Sequence, residues 1–238
     1  MRFFRSGRFH FLAVVIGVAA LSACLLPGEN PPLNPALLFS GESQFLRAAS
    51  TIAVKGSIEL ASARGDESGD FNAFFCGPDS LFFLVEGPFQ LDLFRIIIFG
   101  EDSYLKSRDM EEWRRFNSNE KLTIDEYGID NLPPSSLGVY LLPQFYLDLL
   151  GEGTHDLIMI SKIDGSQYQA ARGSDNKSFS LKRNDSSLIA SYKKAKKSGS
   201  GVFPSQIKIS DESDNWSISI MIDKININPR IPTTIWEL

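Results

Sequence analysis

The sequence predicts a mainly β protein with inserted helices, in which roughly ten antiparallel strands curl into an open barrel whose concave face the helices cap. Three observations carry this expectation. From Ile52 onward, apolar and polar residues alternate with the period of a half-buried strand, and turns rich in Gly, Pro and Asp interrupt them at short intervals. The alternation stops between about Met110 and Gly153, where Pro133-Pro134, Pro143 and several Gly fall. It then returns to the end of the chain, so a helical insertion divides two runs of strands.

The chain has 238 residues, 43% hydrophobic and 22% charged, which suits one folded domain and excludes wholesale disorder. Residues 1–23 carry Arg2, Arg5 and Arg8 and no acid, followed by an apolar run from Phe11 to Leu21. Eleven residues are too few to cross a hydrocarbon core of ~30 Å. A basic start, a short apolar core and small residues read instead as a secretory signal peptide. Leu21-Ser22-Ala23-Cys24 then resembles the lipobox of bacterial lipoproteins. That resemblance implies cleavage before Cys24, with diacylglycerol and an N-acyl group attached to it as the only bound groups; no other cofactor is expected. An ordinary secreted protein with Cys24 paired to Cys76 is the alternative. With Cys24 lipidated, Cys76 is alone in the mature chain, and its place in Phe74-Phe75-Cys76 predicts a buried, inert thiol. Loss of the leader removes three Arg and takes the formal charge from −5 to about −8, which makes nucleic acid a poor partner.

Residues 24–39 form a tether containing Pro27, Pro31, Pro32 and Pro35, a semi-rigid spacer, and residues 40–238 form the globular domain. A short helix is expected from about Ser40 to Ser50, with Phe45, Leu46 and Ala49 on its apolar face. Ile52, Val54, Ile58 and Leu60 alternate with polar neighbours as the first strand; Arg64-Gly65-Asp66-Glu67 turns the chain; Phe71, Ala73 and Phe75 follow in the second. Gly77-Pro78-Asp79 leads to the apolar strand Leu81–Val85, and Gly87-Pro88-Phe89-Gln90 to the run Leu91–Phe99. In the insertion two short helices are expected, the second over Gln144–Leu150, apolar almost all round and therefore in need of cover. Later strands are expected over 155–163, 166–172, 178–182, 188–193, 206–211 and 216–222.

Catalytic patterns are scarce. His10 leaves with the leader, so His155 is the one histidine of the mature chain, and no Gly-x-Ser-x-Gly elbow accompanies it. Zinc clusters need several His or Cys, so no metal site is expected. Ser198-Gly199-Ser200-Gly201 lacks phosphate-loop spacing and reads as a hairpin loop. Glu111-Glu112 reads as solvated, so no catalytic residues are assigned and the chain is not expected to be an enzyme. The run Lys193, Lys194, Lys196 and Lys197 reads as a solubilising hairpin end, with anionic headgroups as its sharper alternative.

Asp70-Phe71-Asn72-Ala73-Phe74-Phe75, Phe82-Phe83-Leu84 and Gly87-Pro88-Phe89 resemble the N-terminal half of the LolB family of outer-membrane lipoprotein receptors, within the LolA/LolB-like superfamily. Phe203–Ile209 and Ile222–Ile227 resemble its last strands; Ser136-Leu137 and Leu149-Leu150-Gly151 resemble its central helix. The resemblance spans most of residues 40–230 and implies a half-barrel of about 11 strands with a helical lid over an apolar cavity. On that footing, with strand parity, the expected cavity lining is Phe71, Phe75, Leu84 and Ile97, closed by Phe145 and Leu149. The resemblance also implies an apolar loop residue that touches the membrane, here Phe89, although Gln90 replaces the small residue that follows in the family. The implied partners are the bilayer through Cys24, acyl chains of lipoproteins or lipids, and a periplasmic LolA-like carrier, with the protein a monomer. Leu25 after Cys24, where Asp would signal retention at the inner membrane, implies the periplasmic face of the outer membrane. The alternative is a structural or partner-binding envelope lipoprotein with a packed half-barrel and no cargo.

Overall fold

Alternation becomes pairing from Thr51 to Ile227. The computed structural model describes residues 48–117, 120–152, 156–173, 178–198, 201–212 and 215–238. The leader, Cys24, the tether, His155 and nearly all of the helix expected over Ser40–Ser50 lie outside the described residues.

The first half of the chain is a meander: β1 (Thr51–Ser62), β2 (Gly65–Cys76), β3 (Ser80–Glu86), β4 (Asp92–Phe99), β5 (Asp102–Ser107) and β6 (Arg114–Asn117). The insertion follows as a small hairpin, β7 (Leu122–Ile124) and β8 (Ile129–Leu132), then two helices, α1 (Pro134–Leu141) and α2 (Pro143–Tyr146). The second meander is β9 (Leu147–Glu152), β10 (Asp156–Ser161), β11 (Gln167–Arg172), β12 (Phe179–Arg183), β13 (Leu188–Ser198), β14 (Gly201–Asp211) and β15 (Trp216–Ile227).

Thirteen strands form one sheet in the order β6-β5-β4-β3-β2-β1-β15-β14-β13-β12-β11-β10-β9, and its recorded pairings are antiparallel. The seam between the meanders is β1 against β15, where Ile58 faces Ile220 and Leu60 faces Ile218. The sheet is open, and the insertion carries the chain from one edge, β6, to the other, β9. Helix α1 touches both β4 and β14. Five interstrand steps separate those strands in the sheet order, about 24 Å if flat, whereas eight residues of helix span about 12 Å. Only a curled sheet brings both to one short helix, which makes the face beneath α1 concave.

Glycines permit the curl. A Cβ on Gly56 would stand 1.9 Å from the carbonyl oxygen of Met221, and one on Gly69 would stand 2.1 Å from that of Glu86. Backbones therefore cross too closely at these points for any side chain, and a bulge between Lys55 and Gly56 re-aims β1 at the same place. Gly56→Ala is expected to cost about 3 kcal/mol, the upper end of overpacking, as a lower urea midpoint. A midpoint within error of wild type would refute the close crossing.

Two expectations need correction. The second helix ends at Tyr146, and Leu147–Glu152 is strand β9, because β10 offers a pairing edge: Leu147 lies opposite Ser161 and Asp148 opposite Ile160. The sheet also exceeds the expected strand count: β5, β6 and β9 fall outside the strands the sequence suggests, β6 and β9 being short stretches that carry little alternation.

Candidate functional site: the apolar concave face and its lid

The concave face is built from one side of each strand. On β2 it takes Phe71, Ala73 and Phe75; on β3 Leu81, Phe83 and Val85; on β4 Phe94, Ile96 and Ile98; all join one buried cluster with α1 and α2. Every residue of both helices is buried, and neither helix carries a charge. A helix apolar all round must be covered, and here the sheet covers it. The two helices meet at Leu142, which Pro143 holds out of helical geometry at φ −136 and ψ 69. They close on each other because Gly138 has no side chain: a Cβ there would stand 3.0 Å from the Tyr146 ring.

Aromatic rings bridge lid and sheet. Phe75 lies 6.3 Å from Phe145 and 5.9 Å from Tyr146, and Phe71 stacks on Phe83 at 5.6 Å. Hydroxyl partners fix two tyrosines of the core: Tyr192 donates to the Tyr140 carbonyl at 2.9 Å and Tyr127 to that of Leu93 at 3.2 Å. Burial raises the pKa of Tyr140, Tyr146 and Tyr192 well above the ordinary value and that of Tyr168 to about 12, so these phenols stay neutral.

One end of the lid is held by charge. Arg183 of β12, its side chain 9% exposed, donates Nη1–H to Ser136 Oγ of α1 at 3.3 Å and Nε–H to Asp185 Oδ1 at 2.6 Å. Asp164 Oδ2 lies 3.3 Å from the same Nη1, near enough to pair in charge but off the N–H direction, so it takes no hydrogen bond. Ser136 Oγ also meets the Tyr168 hydroxyl at 3.3 Å. Burial disfavours the guanidinium charge, yet the hydrogen bond to Asp185 and the carboxylates of Asp164 and Asp185 outweigh it, and the Arg183 pKa rises. The same bond lowers that of Asp185.

The structure brings Phe71, Phe75 and Phe145 together in the core, none more than 5% exposed. It places Leu84 and Ile97 on the opposite side of the sheet. Leu84 stands across from Asn72 and Arg95, and Ile97 across from Phe82 and Tyr104. Parity misled there because β3 and β4 are buried on both faces: the C-terminal segment lays Trp236 against Phe82, with ring centres 6.4 Å apart. Leu149 is likewise displaced, since it sits on the edge strand β9 and is 41% exposed. Phe89 projects from the β3–β4 loop, 96% exposed. Cys76 is partly buried, and burial raises its thiol pKa. Among the described residues no helix is long and apolar enough to cross a membrane, and no group of three or more His, Cys, Asp or Glu could hold a metal. A groove of about 660 Å³ lies on the polar face of the sheet, lined by Glu59, Asp70 and Glu86 on one side and Lys193 and Lys208 on the other.

Sequence reasoning missed Arg183, Asp164, Ser136 and Gln144. Their signal was faint: Gln144 is a single polar residue in an apolar stretch, whereas Ser136, Asp164 and Arg183 stand among other polar residues from which nothing local separates them.

Together the curled open sheet, the chain crossing between its edges and the buried apolar helices define a lidded antiparallel half-barrel. No family model matches the chain, and neither does any curated protein. Among solved structures it is similar to a LolA superfamily protein from Nitrosomonas europaea, with TM-score 0.51 and 10% identity over 87% of this chain and 98% of that one. A putative outer membrane lipoprotein-sorting protein domain from Vibrio parahaemolyticus gives 0.50 and 8% over 81% and 92%. A DUF1329 family protein from Desulfovibrio piger gives 0.51 and 10% over 86% and 98%. The fold is therefore LolA-like, as the sequence resemblance implied.

Proposed function

We propose that this chain is a lipoprotein of the bacterial envelope, anchored through acyl groups on Cys24 at the periplasmic face of the outer membrane, whose half-barrel receives acyl chains beneath the α1–α2 lid. The observation that carries this reading is the lid itself, a pair of uncharged helices laid on the apolar side of an open sheet. Each methylene exposed to water costs ~0.8 kcal/mol, so an acylated protein crossing an aqueous compartment needs such a host. The fold shared with a lipoprotein-sorting domain supports the same cargo, handed on by a periplasmic LolA-like carrier. In the closed state the rings of Phe75, Phe145 and Tyr146 occupy the concave face, so entry of a chain requires α2 to swing away about Leu142. Those same ring contacts favour the second reading, an envelope lipoprotein with a packed core that binds a partner and carries no cargo. The chain acts as a carrier or module in both readings, not as an enzyme.

Phe89 gives the delivery step a residue. Its backbone is held at φ 63 and that of Gln90 at φ 59, a left-handed pair that a bulky side chain adopts only under constraint. The constraint points an aromatic ring into solvent, with Leu91 beside it 57% exposed. Burying Phe89 in lipid would supply roughly 1.5–3 kcal/mol, enough to bias docking and small enough to release. Phe89→Glu is expected to leave the circular dichroism spectrum unchanged and to slow transfer of a labelled lipoprotein to liposomes about tenfold. Transfer at the wild-type rate would remove Phe89 from the mechanism.

A further inference from the structure

The stretch Leu141–Leu147 is apolar except for Gln144. Its side chain is 0% exposed, and neither Nε2 nor Oε1 has a hydrogen-bond partner. Desolvating an amide without a partner is strongly unfavourable, and Leu or Met at this place would avoid it. Gln144 lies in α2 directly before Phe145, whose ring packs edge-on against Phe75 of the concave face. On the concave face itself a buried hydroxyl, Ser103 Oγ of β5 opposite Ile98, is also without a partner. Polar atoms stranded in an otherwise apolar lid and concave face mark where a guest must bring polarity of its own.

The requirement is specific. Nε2 needs an acceptor and Oε1 a donor. Neither helix carries a charged residue that would balance a free carboxylate or a phosphate, so the group read is neutral. An acyl ester offers a carbonyl acceptor at the head of each chain, and the N-acylated cysteine of a lipoprotein adds an amide N–H donor.

We propose that Gln144 is the specificity contact for the guest's head: its Nε2–H donates to the carbonyl oxygen of a carboxylic ester, so that the half-barrel selects ester-linked acyl chains over ether-linked ones. The proposal rests on the acyl-binding reading above. Beneath the closed lid the amide keeps its desolvation cost, and an ester guest restores the missing bond.

The test uses the full chain purified in an ester-free maltoside detergent. Isothermal titration compares a short-chain diacylglyceryl N-acyl-cysteine peptide and a short-chain diacyl phosphatidylcholine, each against its dialkyl ether counterpart. Wild type is expected to bind the ester of at least one pair about tenfold tighter than the ether, the worth of one hydrogen bond. Preference in the peptide pair alone shows that the ester is read only with the lipoprotein head present; preference in both pairs shows that the glycerol ester suffices. Gln144→Met is expected to bind all four probes at the wild-type ether level. Equal ester and ether binding by wild type, or an undiminished ester preference in Gln144→Met, overturns the proposal while leaving acyl binding in place. Failure of wild type to bind any of the four overturns the acyl-binding reading itself. The wild-type comparison decides the matter even where the variant fails to fold.

Discussion

Arg183→Met should lower the stability of the half-barrel by about 3–5 kcal/mol, the cost of leaving one member of a buried ion pair alone. The side chain of Asp164 is 6% exposed and faces the guanidinium as its cationic neighbour at 3.3 Å. Without Arg183 that carboxylate keeps its desolvation cost and loses the compensating charge, and Ser136 loses a donor that ties α1 to β12. The expected signature is a large drop in the urea midpoint with the slope nearly unchanged. Asp185→Asn should cost under about 1 kcal/mol, because Asp185 is 65% exposed and water screens its share of the network. Arg183→Met combined with Asp164→Asn should recover much of the loss, since an apolar or neutral pair of similar volume avoids the stranded charge. A midpoint for Arg183→Met within about 1 kcal/mol of wild type would show that the network does not hold the lid.

Cys24→Ala should abolish acylation outright. Wild-type cells fed labelled palmitate are expected to yield a labelled band that stays with membranes through an alkaline wash, and the variant an unlabelled one. One myristoyl-length chain binds a bilayer only marginally, with K near ~10⁴ M⁻¹, whereas two or more chains hold a protein there stably. On the proposed anchoring, the thioether-linked diacylglycerol would supply two and the N-acyl group a third. Equal palmitate labelling of both proteins would place the anchor elsewhere and remove the lipobox reading.

Legibility in the sequence followed solvent. On β1 the alternation of Ile58 and Leu60 with Ser57 and Glu59 has one face in water, so the pattern names the inner side directly. β3 and β4 are apolar on both faces because the C-terminal segment covers the outer one, and nothing in Leu81–Val85 says which side is inner; Leu84 and Ile97 were misplaced for that reason. β9 shows a different limit. Leu147-Asp148-Leu149-Leu150 suits helix or strand equally, and the pairing edge of β10, a tertiary fact, decides. The lid was legible in part, because Pro134 and Pro143 each open one of its helices and its apolar sequence demanded cover, although the second helix is shorter than the sequence suggests. Its latch was not, since Ser136 and Arg183 are 47 residues apart and only the curl of the sheet joins them.

The central claim is that the concave face receives an acyl chain once the lid moves. Titrating a pyrene-labelled acyl ester with the chain lacking residues 1–24 tests it most directly, with Leu84→Glu as the control because Leu84 stands on the far side of the sheet. The account predicts saturable binding of one acyl ester per protein, unaltered in Leu84→Glu and displaced by unlabelled ester. Fluorescence that rises without saturation, or a probe that unlabelled ester fails to displace, would contradict it and leave the packed half-barrel as the functional state.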